Sequence, residues 1–193
     1  MARVRSINIA TVSNRRKKKL RRVVAYFVLA LSLCGAMLSS CGQDDELLMQ
    51  QEEKILAYLD KQSLDYTIEG GTYKVVLAEG DQSKRAEKGD SLSFNYAGFL
   101  FDSAPKGLFT TSWEGLVDTS GGLNTEYWSF EPGRVRLGDG TIIKGIENAL
   151  NNCCEGDSLQ LFITSPLGYG EEEVGAVSKN SALMFLVKVE SIY

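Results

Sequence analysis

The chain has 193 residues, 21 of them Lys or Arg and 25 Asp or Glu, and it contains no histidine. Without an imidazole, Ser-His-Asp and Cys-His nucleophilic catalysis are excluded, and the four cysteines fall at no metal-ligand spacing, so neither a metal nor a cofactor is expected. The length suits one globular core with a leader in front of it.

The first forty residues hold nine basic side chains, from Arg3 to Arg22, and no acidic one. An apolar run, Val23 to Leu38, follows directly. At helical rise it spans roughly 24 Å, short of the roughly 30 Å hydrocarbon core. A basic stretch, a short apolar stretch and small residues before Cys41 make a secretory signal over residues 1–40. Leu38-Ser-Ser-Cys41 resembles the lipobox of bacterial lipoproteins, which implies cleavage before Cys41 and a lipid on its thiol. An uncleaved single-span anchor is the alternative, and the short run disfavours it. Taking away the forty leader residues leaves 12 basic against 25 acidic residues, a net charge of −13. A body that acidic repels phosphate backbones, so no nucleic-acid partner is expected. Asp44-Asp45-Glu46 reads as solvation of a tether, and it also resembles surface-export signals of Bacteroidetes lipoproteins. The expected location is therefore the cell envelope, lipid-anchored to the outer membrane.

From Glu46 to Ser63, Leu48, Ile55, Leu56 and Leu59 recur at three- and four-residue spacing among charged residues, which predicts an amphipathic helix. Such a helix can pack on its own domain, space it from the membrane, or pair with a second copy. The first is the default, and a monomer is expected. Residues 41–70 thus form an acidic tether and helix, leaving 71–193 for one domain.

Within that domain strand alternation dominates. Leu92, Phe94 and Tyr96 fall on one face of a strand; so do Leu159, Leu161 and Ile163, and then Leu183, Phe185, Val187 and Val189. These runs predict an antiparallel sheet with one face buried. Ile142, Ile143, Ile146 and Leu150 recur at helical spacing, so a short helix over Lys144–Asn151 covers that face. An α+β architecture follows. Cys153 and Cys154 are adjacent and cannot close a long stabilising loop. They read as a core thiol at Cys153 beside an exposed one at Cys154, with a redox-labile vicinal disulfide as the sharper alternative.

Four pieces occur in a telling order: Gly71–Leu77, then Lys88–Leu100 with its Gly-Asp and Tyr-Ala-Gly, then Arg136–Glu147 with Glu155-Gly-Asp157 and Pro166-Leu-Gly-Tyr-Gly170, and finally Ala182–Glu190. Together they resemble the FKBP-type peptidyl-prolyl isomerases. The resemblance implies a twisted antiparallel sheet wrapped around one short helix, and catalysed rotation of X-Pro bonds in proline-containing polypeptides. It implies a pocket lined by Tyr96, Phe109 and Phe185, with Ile142 and Ile143 at the rim, Ile146 as the floor, and Thr110 and Val177 beside them. The Ile143 N–H and the Tyr169 hydroxyl are implied as the two donors.

Several residues depart from the family pattern. Thr110 stands where a carboxylate is common, and Ile146 where tryptophan is common. Gly133 falls where another aromatic wall is expected, and Tyr127, Trp128 or Phe130 replaces it only if its loop folds back. Trp113–Glu131 is longer than the usual connection and reads as a binding flap or a core-filling hairpin. Glu171–Val177 is acidic where relatives are often apolar. An active isomerase for exported proteins and a binding module without catalysis both fit this pattern, while glycan binding by the Trp- and Tyr-containing loop rests on composition.

Overall fold

The computed structural model describes residues 41–117 and 129–193. The leader 1–40, and within the long connection Gly121, Gly122, Tyr127 and Trp128, lie outside the described residues. The chain divides into two units, Met1–Glu46 and Leu47–Tyr193, and every described strand belongs to the second.

Helix α1 (Cys41–Lys61) precedes a hairpin of β1 (Thr67–Glu69) and β2 (Thr72–Ala78). The two-residue turn between these strands needs positive φ at both positions, which Gly70 (56°) and Gly71 (91°) adopt without steric cost. Next come β3 (Asp81–Arg85), β4 (Ser91–Phe101), β5 (Pro105–Thr111) and β6 (Gly133–Arg136). Helix α2 (Lys144–Leu150), β7 (Cys154–Glu155), β8 (Ser158–Ile163) and β9 (Ala182–Ile192) complete the chain. The main sheet is antiparallel, in the order β1-β2-β8-β9-β4-β5, with β6 paired to the first part of β4. Strands β3 and β7 form a separate two-stranded ladder.

The α+β reading holds, with the apolar residues of β4, β8 and β9 turned onto α2 as their alternation requires. Leu92, Leu161, Leu183 and Val187 are buried against Ile146, Ala149 and Leu150. Contact with the sheet is close at Gly145, where an added Cβ would strike the Ile163 side chain. Strand β2 also grips the helix through polar atoms. Thr72 Oγ1 donates to the Gly145 carbonyl at 3.0 Å, and Lys74 Nζ donates to the Ala149 carbonyl at 3.4 Å. The Lys74 ammonium thereby meets the negative end of the α2 dipole.

Burial of only one sheet face is not what the fold shows. The opposite face is covered as well, by α1: Ile55 and Leu59 pack with Tyr73, Val75, Phe101, Phe162 and Met184. Phe162 lies edge-on to Phe101 (centroids 5.2 Å apart) and tilted against Tyr58 (5.5 Å). Phe162, Met184 and Leu186, which fall between the alternating positions of β8 and β9, are themselves apolar, so both faces of the sheet demand a cover. The predicted amphipathic helix supplies the second one, packed on its own domain.

The exposed thiol expected at Cys154 is also absent. Cys154 is buried within the β3–β7 ladder, where it pairs with Arg85, its Sγ 3.5 Å from Gln82 Oε1, and both Cys153 and Cys154 are free thiols. Burial, and next the Asp157 carboxylate, push the Cys153 thiol up to about 12 from an ordinary 9.0. The folded chain therefore keeps this proton at pH values where the unfolded chain releases it, and stability falls as pH rises. In urea unfolding between about pH 9 and 12, the wild-type midpoint should fall more steeply than that of Cys153→Ala; parallel profiles would refute the assignment.

Candidate functional site

The site grows from a missing side chain in β4. Gly98 pairs with Phe185 of β9 on one side and Thr110 of β5 on the other, and the β4–β5 register shifts just after it. A Cβ on Gly98 would meet Phe185 Cε1 at 2.7 Å, Phe109 Cζ at 2.8 Å and Thr110 Cγ2 at 2.8 Å. Three of the sequence-predicted pocket residues thus converge over one glycine. The Phe109 ring stands edge-on to Phe185 (5.7 Å, 88°) and edge-on to Tyr169 (6.5 Å, 73°). Such edge-to-face pairs are the preferred aromatic geometry.

Tyr169 follows a 3-10 turn, Ser165–Leu167, with Pro166 in its first turn. The corner closes through Gly170, at φ 58°, whose N–H donates to the Ser165 carbonyl at 2.8 Å and whose carbonyl accepts from the Asn180 N–H at 2.6 Å. Burial, and then the neighbouring Tyr96, raise the Tyr169 hydroxyl above the ordinary phenol range, so it stays a protonated donor at neutral pH. Among the described residues neither this hydroxyl nor the Ile143 N–H has a hydrogen-bond partner. Ile143 caps the start of α2, where backbone N–H groups lack helical acceptors. Ile142, Ile143, Tyr96, Phe109 and Tyr169 are half-buried around the main core, while Phe185, Ile146 and Val177 are buried within it. A ligand would touch the first group and rest on the second.

Tyr96 is fixed through its backbone. Its N–H donates to Ser112 Oγ at 2.8 Å, and its carbonyl accepts from the Ser112 N–H at 2.8 Å and from Thr111 Oγ1 at 3.1 Å. Thr110 turns a methyl group towards Gly98, so apolar surface faces the glycine at this position.

The aromatic ring beside Gly133 comes from a residue the sequence reading placed only in the core. Phe94 pairs with Gly133 in register, and a Cβ on that glycine would lie 2.8 Å from Phe94 Cζ. The Phe94 ring sits 5.9 Å from that of Tyr96. A phenylalanine two residues before Tyr96, opposite a glycine on the neighbouring strand, was the available signal. Tyr127 and Trp128 lie outside the described residues, and Phe130 is half-buried. Among the described residues no three potential ligands come together to hold a metal.

A family model described as FKBP-type peptidyl-prolyl cis-trans isomerase matches residues 82–190. The chain belongs to this family. It is 28% identical over 128 residues to FK506-binding protein 1 of Aspergillus oryzae, a match covering 63% of this chain and 98% of that protein. FK506-binding protein 2 of Debaryomyces hansenii is 29% identical over 90 residues, 47% of this chain and 67% of the relative. FK506-binding protein 2B of Rhizopus delemar is 33% identical over 111 residues, 57% of this chain but 46% of that longer protein. Peptidyl-prolyl isomerisation is the enzyme activity that FKBP membership supports. The matched segment contains β4, β5, α2 and the Tyr169 corner, whereas α1 and the β1–β2 hairpin precede it.

If the ring cluster depends on Gly98, then Gly98→Ala should cost about 1–3 kcal/mol of stability through overpacking. It should also shift the aromatic ring resonances of Phe109 and Phe185; an unshifted spectrum with unchanged unfolding would contradict the packing described.

Proposed function

We propose that this FKBP-type isomerase rotates X-Pro bonds of exported polypeptides in the half-buried cleft between β4, β5, α2 and the Tyr169 corner. The observation that carries the reading is the Phe109 ring, set edge-on to both Phe185 and Tyr169 above the bare backbone of Gly98. Peptide rotation breaks amide resonance at a barrier of about 18–20 kcal/mol, and no nucleophile or acid–base pair is needed. A cleft of aromatic and aliphatic walls favours the twisted amide, which is less dipolar than the planar one. Tyr96, Phe109 and Ile142 would enclose the proline ring, with Phe185 and Ile146 beneath it. The Ile143 N–H and the Tyr169 hydroxyl would hold the carbonyls on either side.

Rim charge then bears on client choice. Glu171, Glu172 and Glu173 are exposed beside the Tyr169 corner and would repel acidic segments, an effect weakened by salt. The Thr110 methyl over Gly98 favours a second reading, a peptide-binding module with little catalysis, because a group that shapes the pocket in relatives is replaced. A protease-coupled assay on a short X-Pro peptide separates the two. The full chain should accelerate isomerisation, and Tyr169→Phe should lower kcat/KM about tenfold, the worth of one hydrogen bond. No acceleration by the wild-type chain would leave only the binding module.

Export and lipid anchoring are part of the same proposal. They are supported by the basic and apolar leader and by Leu38-Ser-Ser-Cys41. No helix among the described residues is long and apolar enough to cross a membrane. Metabolic labelling with a fatty acid should tag the wild-type protein in a bacterial host and not Cys41→Ala; equal labelling of both would end the lipoprotein reading.

A further inference from the structure

Helix α1 lies before the segment that matches the family, yet one of its side chains reaches the loop that carries Tyr169. Gln51 is 7% exposed, one turn before Ile55 on the face that packs onto the sheet. Its Oε1 accepts the Ser165 N–H at 2.8 Å, and its Nε2 donates to the Asn180 carbonyl at 2.8 Å. Ser165 and Asn180 are the two stems of that loop. Both are tied to Gly170, which accepts from the Asn180 N–H at 2.6 Å and donates to the Ser165 carbonyl at 2.8 Å. One amide from outside the loop therefore closes its base.

Only a primary amide of this length fits both partners. A glutamate keeps the acceptor for Ser165 but sets a carboxylate against the Asn180 carbonyl, and an alanine leaves the buried Ser165 N–H and the half-buried Asn180 carbonyl without this partner. The loop needs such a fixture because its own conformation is costly: Asn180 has positive φ (59°) without being glycine. Tyr169 is held from one side by the Phe109 ring, so movement of the stems is movement of its hydroxyl.

We propose that Gln51 is a positioning residue for the isomerase pocket, so that α1 sets the placement of the Tyr169 hydroxyl. The proposal rests on the pocket assigned above. Its test compares the full chain with Gln51→Ala, Gln51→Glu and Ile55→Val, the last a packing change on the same helix that does not touch the loop. Loss of the amide should lower kcat/KM several-fold, up to the roughly tenfold that removal of the Tyr169 hydroxyl itself costs, since misplacing a positioned group forfeits its contribution. The loss should fall in kcat rather than KM. Ser165 amide exchange should accelerate and the Tyr169 ring resonances should shift, with Gln51→Glu intermediate because it keeps the Ser165 bond. Ile55→Val should leave all three readouts close to wild type. If Gln51→Ala leaves the Tyr169 resonances and Ser165 exchange unmoved, or lowers the rate no more than Ile55→Val does, Gln51 holds no part of the pocket. Should the wild-type chain lack isomerase activity, the catalytic reading falls by itself, and the exchange and resonance shifts still decide the role of Gln51.

Discussion

Strand β4 pairs with β9 along its whole length, from Leu92 opposite Ile192 to Phe101 opposite Ala182, and that ladder fixes the address of nearly everything else. Because side chains alternate, a one-residue slip would exchange the two faces of both strands. The observed register sends Leu92, Phe94 and Val187 to the α2 side and Phe101 and Met184 to the α1 side. It also sets Gly98 against Phe185, so the one gap in the β4 side-chain row faces the ring that fills it. Fold and cleft share this single constraint.

The aromatic cluster is packed by subtraction. Glycines at 98 and 133 leave backbone exposed to approach, and aromatic rings from neighbouring strands lie over both. At Gly133 the ring belongs to Phe94, so the volume expected on one strand is carried by the next. Exchanges that conserve volume and patterning are the ones cores tolerate best. The wall keeps its aromatic character but is anchored in the middle of the sheet, where Phe94 is buried and its ring has little freedom to move. Thr110 works in the same direction, adding a methyl group where a charge would have needed partners. Among the described residues, the Ile143 N–H and the Tyr169 hydroxyl remain without partners beside this apolar surface.

Covering both faces of the sheet changes the role of the segment in front of the domain. Ile55, Leu59 and Tyr58 place α1 in the second core, and Gln51 extends the same face to the loop stems. The helix expected to pack on its own domain is thereby tied also, by two hydrogen bonds, to the loop that carries Tyr169. Buried polar bonds of this kind specify one geometry, because every alternative leaves groups unpaired in a low-dielectric interior.

Much of this was legible in the chain itself. The alternation in β4, β8 and β9 and the helical spacing from Ile142 to Leu150 pointed to the fold class, while Tyr96, Phe109, Ile143, Tyr169 and Phe185 became candidates through the resemblance of four ordered pieces to the FKBP family. Those features are local, and local periodicity survives in one dimension. What crossed between distant segments was decided only by the tertiary structure: the burial of Cys154 beneath Gln82, the Phe94 ring over Gly133, and the grip of Gln51 on Ser165 and Asn180. Each joins residues from separate elements through a contact whose partner is set by strand register or helix docking, and neither quantity is written in the spacing of any single segment.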